Sequence, residues 1–286
     1  MKKRTNTIKW LAVGAAFLLT GCGAESDKTG TSAADQNQNE KDRQALHVGA
    51  SNVPHAEILE FVKPLLAEEG IDLEITTYND YKLPNIALDQ GDIDANYFQH
   101  VPYFEQEIAD NGYDFANAGG IHIEPLGAYS KRFESLEDLP EGAKILASSS
   151  TSDHGRVLGI LQDAGLIKVS KDVELTTASF EDIEENPRNL EFDYEFDPAL
   201  MPTLLEEDEG DVVFINSNFA VDHELNPTED SIALESTSSP YANIIAVRSE
   251  DADNPAIKKL IEVLKSKETQ DFILDTWNGA VVPVSE

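Results

Sequence analysis

Residues 45–51, ALHVGAS, alternate apolar and polar side chains at the period of two expected of a strand. After Pro54 the period changes. In HAEILEFVKPLLAEEG the residues Ile58, Leu59, Val62, Leu65 and Leu66 share one helical face, and Gly70 stops the helix. IDLEITTY reads as a strand, LPNIALDQG as a short helix with a glycine stop, and DIDANYF as a further strand. VPYFEQEIADNG repeats the proline start and glycine stop. The succession continues with AKILASS and DHGRVLGILQDAG, then DVELTTA and FEDIEEN. LEFDYEF precedes DPALMPTLLEEDEG, and DVVFINS precedes NFAVDHEL. Strand ANIIAVRS and the helices NPAIKKLIEVLKSK and ETQDFILDTWNG close the chain. Strand–helix alternation of this kind predicts an α/β fold with open, mostly parallel sheets. Ligands of such sheets sit at the carboxyl ends of strands, beside helix N-termini.

The first residues follow a different logic. Lys2, Lys3, Arg4 and Lys9 precede the apolar run WLAVGAAFLL, which is too short for a membrane span of roughly 20 residues. Small residues in LLTGC then lead to Cys22, the chain's one cysteine. The pattern is that of a signal peptide over residues 1–21, and its ending resembles a bacterial lipobox, which implies cleavage before Cys22 and a lipid on its thiol. A single cysteine excludes an intrachain disulfide. Residues 22–45 lack aromatics and apolar periodicity and read as a flexible tether. About 240 residues remain, enough for one large or two medium domains.

The formal net charge is −33, and losing the four basic residues of the leader takes it to −37. Nucleic acid is thereby excluded as a partner, because phosphate binding needs a basic face. Acidic lipid would repel the chain as well, which leaves the lipid on Cys22 as its membrane anchor. So even an acidic excess suggests a saline or alkaline habitat and says little about function.

Against this acidic background, DANYFQHVPYFEQ (94–106) concentrates Tyr97, Phe98, His100, Tyr103 and Phe104. A buried core and a ligand pocket both account for such a stretch. Six segments in order carry a resemblance that favours the pocket: PHAEILEFVKP, GDIDANYFQHVPYFEQ, IHIEPLGAYSKRFESLEDLP, GRVLGILQDAGLI, FINSNFAVDHELNP and SPYANIIAVR. Together with the lipobox they resemble the methionine-binding lipoproteins of ABC importers, the NlpA family. The resemblance implies a periplasmic-binding-protein-like fold, two α/β lobes with mixed sheets joined by two crossing strands. Lobe one would take 46–130 plus 240–286, and lobe two 131–239, with crossings near PLGAYS and SPYANII. The implied protein is a monomeric, lipid-anchored binding protein on the extracytoplasmic face of the cell membrane. It would deliver methionine, D-methionine or a methionine-containing dipeptide to a permease and its ATPase, with no cofactor and no catalysis.

Methionine presents a carboxylate, an ammonium and a thioether. A guanidinium matches a carboxylate with two parallel hydrogen bonds, and Arg156 stands in the first turns of an expected helix whose N-terminus also favours an anion. The family places an arginine here for the carboxylate. An ordinary surface salt bridge is the competing reading in so acidic a chain. The resemblance assigns Asn216 and Asn243 to the polar head, with a hydrogen bond between lobes as the alternative. Sulfur packs favourably on aromatic rings, so Tyr97, Phe98, His100 and His122, with Tyr81, are the expected wall. Tyr103 and Phe104 are expected in the core. Where the family pattern reads PNDPTN, this chain has SSSTSDH (148–154), which puts Asp153 in place of an asparagine. Its carboxylate would repel the ligand's unless it turned to the ammonium or capped the helix.

Two other classes fit less of the chain. His100, His122 and Glu124, with Asp92 or Asp94, could converge on a metal ion in a divalent-metal importer protein. His55 with Glu57, or the serines 148–152 with His154, could be imagined in an enzyme, but no G-x-S-x-G turn is present. An adhesin would leave Arg156 and both asparagines without a shared purpose.

Overall fold

The structure, a computed structural model, describes residues 43–236 and 240–284. The expected signal peptide, Cys22 and nearly all of the tether lie outside the described residues. In chain order the first elements are β1 (Gln44–Ser51), α1 (Glu57–Glu68), β2 (Ile71–Tyr78), α2 (Leu83–Gln90), β3 (Ala95–His100), α3 (Val101–Asn111) and β4 (Phe115–Ile123). They are followed by β5 (Gly127–Tyr129), β6 (Lys144–Ser148), α4 (Thr151–Asp163), β7 (Lys168–Val169), β8 (Ile183–Glu185) and β9 (Glu191–Phe196). Next come α5 (Met201–Glu206), β10 (Val212–Ile215), α6 (Ser217–Asp222), α7 (Pro227–Asp230) and β11 (Ala233–Leu234). The last are β12 (Ala242–Arg248), α8 (Pro255–Leu264), α9 (Lys267–Trp277) and β13 (Val282–Pro283).

Two sheets organise these elements into a two-lobed α/β fold. The first has the order β13-β4-β12-β3-β1-β2 and the second β11-β5-β10-β6-β9, with β7 and β8 forming a small ribbon. β5 already pairs with β10, so the chain leaves the first sheet at 124–126, a few residues before the expected boundary at 130. It returns between Leu234 and Ala242. The sheets are mixed rather than mostly parallel. β1 runs parallel to β2 and β3, but β12 runs antiparallel to both β3 and β4. In the second sheet β6 is parallel to β9 and β10, and β5 is antiparallel to β10 and β11. β12, which returns from the second sheet, is inserted between β3 and β4 in the opposite sense to both, and period alone does not show that.

Each sheet buries its own core. Leu46, Val48, Ile58, Val62, Leu66, Ile245 and Leu260 pack together in the first. Ile145, Leu158, Leu161, Val212 and Phe214 do so in the second. The amphipathic face read in α1 is the buried one, with Leu65 at its margin. Gly112 takes φ 73° and closes α3, the left-handed conformation that favours glycine. DVELTTA and FEDIEEN depart from expectation. They form tight turns at Leu175–Thr177 and Phe180–Asp182, followed by β8. The reason is local packing: a Cβ on Gly155 of α4 would lie 1.8 Å from the Leu175 carbonyl oxygen, so this turn sits directly on the helix backbone.

Candidate ligand-binding cavity

A narrow cavity, with about 20 Å³ of free space, lies where β3, β10 and β12 meet the N-termini of α3 and α4. One wall is aromatic: Tyr81, Phe98 and Tyr103 approach one another with ring centroids 5.9 to 6.1 Å apart. Tyr103 donates to the Tyr81 carbonyl and Tyr81 donates to Asn218 Oδ1, which fixes both phenols. The other wall is polar, made by Glu124, Asp153, Arg156, Asn216 and Asn243, with His100 between the two.

Strand register explains these positions. Between β3 and β12, Gln99 faces Ile244 and Tyr97 faces Ile245, so Phe98 is the extra residue of a bulge. A bulge breaks strict alternation and re-aims a side chain, and Phe98 lines the cavity while Tyr97 is wholly buried behind it. Asn243 pairs with His100 on one side and His122 on the other, which brings three polar strand ends together. His100 caps α3, accepting the Tyr103 N–H at Nδ1 and donating from Nε2 to Asp153 Oδ1 at 3.0 Å.

Arg156 is almost fully buried, and the chain itself engages most of its donors. Nε and Nη2 donate to Glu235 Oε2 at 3.0 and 2.6 Å, Nη2 also to the Glu124 carbonyl at 2.6 Å, and Nη1 to Asp153 Oδ1 at 3.0 Å. The Tyr241 ring covers the guanidinium at 4.8 Å. Asp153 lies inside the first turn of α4, where Ser150 is the cap position. Its carboxylate neither caps the helix nor stands unpaired. Burial pushes it up, but His100, Arg156 and Asn216 outweigh that and hold it well below the usual carboxylate range. For Arg156, burial opposes the charge, and Glu235 and Asp153 more than restore it.

Of the residues singled out from sequence, Tyr81, Phe98, His100, Arg156, Asn216 and Asn243 line this cavity. Tyr97 and His122 do not. They lie behind it, where the Tyr97 hydroxyl meets His122 Nδ1, and His122 Nε2 donates to Glu124 Oε1 at 2.7 Å. Tyr103, expected in the core, is instead part of the wall. Sequence reasoning missed Gln99, Ser217 and Asn218 as lining residues and Glu235 as the partner of Arg156. The first three stand beside residues that were found. Glu235 is 79 positions from Arg156 and carries no local signal.

The expected metal set does not converge. His100 turns to Asp153, whereas Asp94 accepts the His47 N–H on another part of the chain. It is His55 that joins His122 and Glu124 in a buried group whose ligand atoms lie within 4.8 Å of one another. Within that group His122 Nε2 meets Glu124 Oε1 and the Tyr97 hydroxyl meets His122 Nδ1.

No helix among the described residues is long and apolar enough to cross a membrane. A match to the NlpA lipoprotein family spans residues 46–285. The methionine-binding lipoprotein MetQ of Bacillus subtilis is 48% identical over 249 residues, 86% of this chain and 90% of that protein. A lipoprotein of Enterococcus faecalis, described as a pheromone cOB1 precursor of the YaeC family, is 61% identical. Its crystal structure superposes with a TM-score of 0.83 over 84% of this chain and all of that one. A nutrient-binding protein of Burkholderia cenocepacia, solved bound to methionine, is 41% identical with a TM-score of 0.79, again over 84% of this chain and all of that one. By the extent and identity of these matches, the chain belongs to the NlpA lipoprotein family.

Proposed function

We propose that this chain is an extracytoplasmic substrate-binding protein that captures methionine or a close derivative and delivers it to an ABC importer. The observation that carries this reading is the division of the cavity. An aromatic wall of Tyr81, Phe98 and Tyr103 faces a charged wall of Glu124, Asp153 and Arg156. An amino acid with an apolar, sulfur-containing side chain needs both. The methionine-bound relative supports the same ligand.

Arg156 would hold the ligand carboxylate with the N–H of Nη1 that Asp153 does not take, and Asn216 and Asn243 would complete the polar head. Among the described residues no hydrogen bond uses Asn216 Oδ1 or Asn243 Nδ2, so one acceptor and one donor remain for a ligand. Tyr97 and His122 would act from behind, shaping the wall without touching the ligand. The two lobes, built on the two sheets, would close on the ligand and present it to a permease driven by an ATPase. The chain would work as a monomer held to the membrane by lipid on Cys22 after loss of residues 1–21. The chemistry is capture and release, with nothing covalent done to the ligand.

Native mass spectrometry of the chain from residue 23 onward, purified without denaturation, tests the reading. A bound mass equal to methionine supports it, and a glycyl-methionine mass keeps the cavity and revises the ligand. Bound zinc, or a protein whose melting temperature responds to neither L-methionine, D-methionine nor glycyl-methionine, overturns it.

A further inference from the structure

Four buried groups have so far been matched to no particular group of the ligand: His55, Tyr97, His122 and Glu124. Of these only Glu124 reaches the cavity, and its side chain is 7% exposed. We propose that Glu124 selects the charged amino group of the ligand and that His55 and His122 hold its carboxylate ready for that cation. The cavity is then specific for amino acids with a free amine, over analogues that lack or mask it. This inference rests on the proposal that the cavity takes methionine or a close derivative.

The argument is one of charge. Glu124 Oε1 accepts from His122 Nε2 at 2.7 Å and stands 3.1 Å from His55 Nε2, and the Asn218 backbone N–H also reaches the carboxylate. None of these donors is a cation. Burial lowers His55 to about 4 and His122 to about 3, so both rings are neutral at pH 7. The Glu124 carboxylate, which as an anion can only accept, places the His122 proton on Nε2 and leaves Nδ1 to accept from the Tyr97 hydroxyl, so the ring is a neutral donor aimed at Glu124. The nearby cation, Arg156, meets Glu124 only at its backbone carbonyl and spends its other bonds on Asp153 and Glu235. Asp153 therefore has its countercharge and Glu124 has none in contact. A buried carboxylate held by neutral donors alone is costly, and an entering ammonium supplies the missing charge. The Asn243 side chain, 3.1 Å from His55 Nε2 through Oδ1, borders the same spot.

The test compares L-methionine with 4-(methylthio)butanoate, which keeps the carboxylate and thioether and lacks the amine. Calorimetry on the mature wild-type protein should show methionine binding about 10- to 100-fold tighter, the range for a hydrogen bond to a charged group. In Glu124→Gln this preference should collapse to a few-fold, through weaker methionine binding with the analogue nearly unchanged. Equal losses for both ligands would mean that Glu124 only maintains the fold, and would overturn the inference. N-acetylmethionine on the wild-type protein gives a second reading that needs no variant. Binding as tight as methionine overturns the inference, and a loss as large as that of the analogue supports it. A wild-type protein that binds methionine and the analogue equally sinks this inference alone. One that binds neither sinks the methionine reading with it.

Discussion

Replacing Arg156 by alanine should cost about 3 kcal/mol of folding stability before any ligand is considered. The substitution removes four hydrogen bonds and leaves Asp153 and Glu235 without their guanidinium. Orphaning a buried charge costs about 3–5 kcal/mol. The low end applies because Asp153 keeps His100 and Asn216 and Glu235 keeps the Leu126 N–H. In a chain of this size that loss lowers the melting temperature by on the order of 10 °C. Urea unfolding followed by the fluorescence of buried Trp277 measures it directly. A second change measures the pair itself. Glu235→Gln alone should destabilise, since it weakens the pair, and in the Arg156→Ala background it should cost clearly less, since the guanidinium is already gone. A loss below about 1 kcal/mol for Arg156→Ala, or the same cost for Glu235→Gln in both backgrounds, would place this pair among ordinary surface ion pairs and refute the reasoning.

Gly155→Ala should destabilise by more than about 1 kcal/mol although alanine is the better helix former, because its Cβ would strike the Leu175 carbonyl; a more stable variant in urea would show that the turn yields. Phe98→Ala should cost about 2–3 kcal/mol and weaken methionine binding more than stability, since one face of the ring lines the cavity; calorimetry beside a urea melt separates the two. Stability should fall as pH drops from about 6.5 toward 4. The unfolded chain takes up protons that buried His55 and His122 refuse in that window, at up to about 1.4 kcal/mol per unit and ring. Burial shifts Glu124 upward, and its proton uptake in the folded state offsets part of that slope. A pH slope that stays the same in His122→Gln would assign the dependence to surface carboxylates instead.

Much of this architecture was present in the order of residues. Strand and helix periods placed β1, β2, α2, α3, β9 and α8 to within a few positions, helped by glycine stops after α2 and α3 and a proline start in α8. β4 is without a periodic signal over FANAGG, which has neither alternation nor β-branched residues. The cavity lining was legible where a motif carried it, as at Arg156, Asn216, Asn243 and part of the aromatic stretch over β3 and α3. What only the tertiary structure decided is which of these groups meet. The bulge opposite Ile244 sends Phe98 to the cavity and Tyr97 behind it, and no composition records a bulge. His55 reaches Glu124 and Glu235 reaches Arg156 although 69 and 79 positions separate them, because the sheets bring their strand ends together. Local sequence sets each residue's secondary structure through short-range sterics and burial. The partner of a buried charge is set by the packing of sheets that are far apart in the chain.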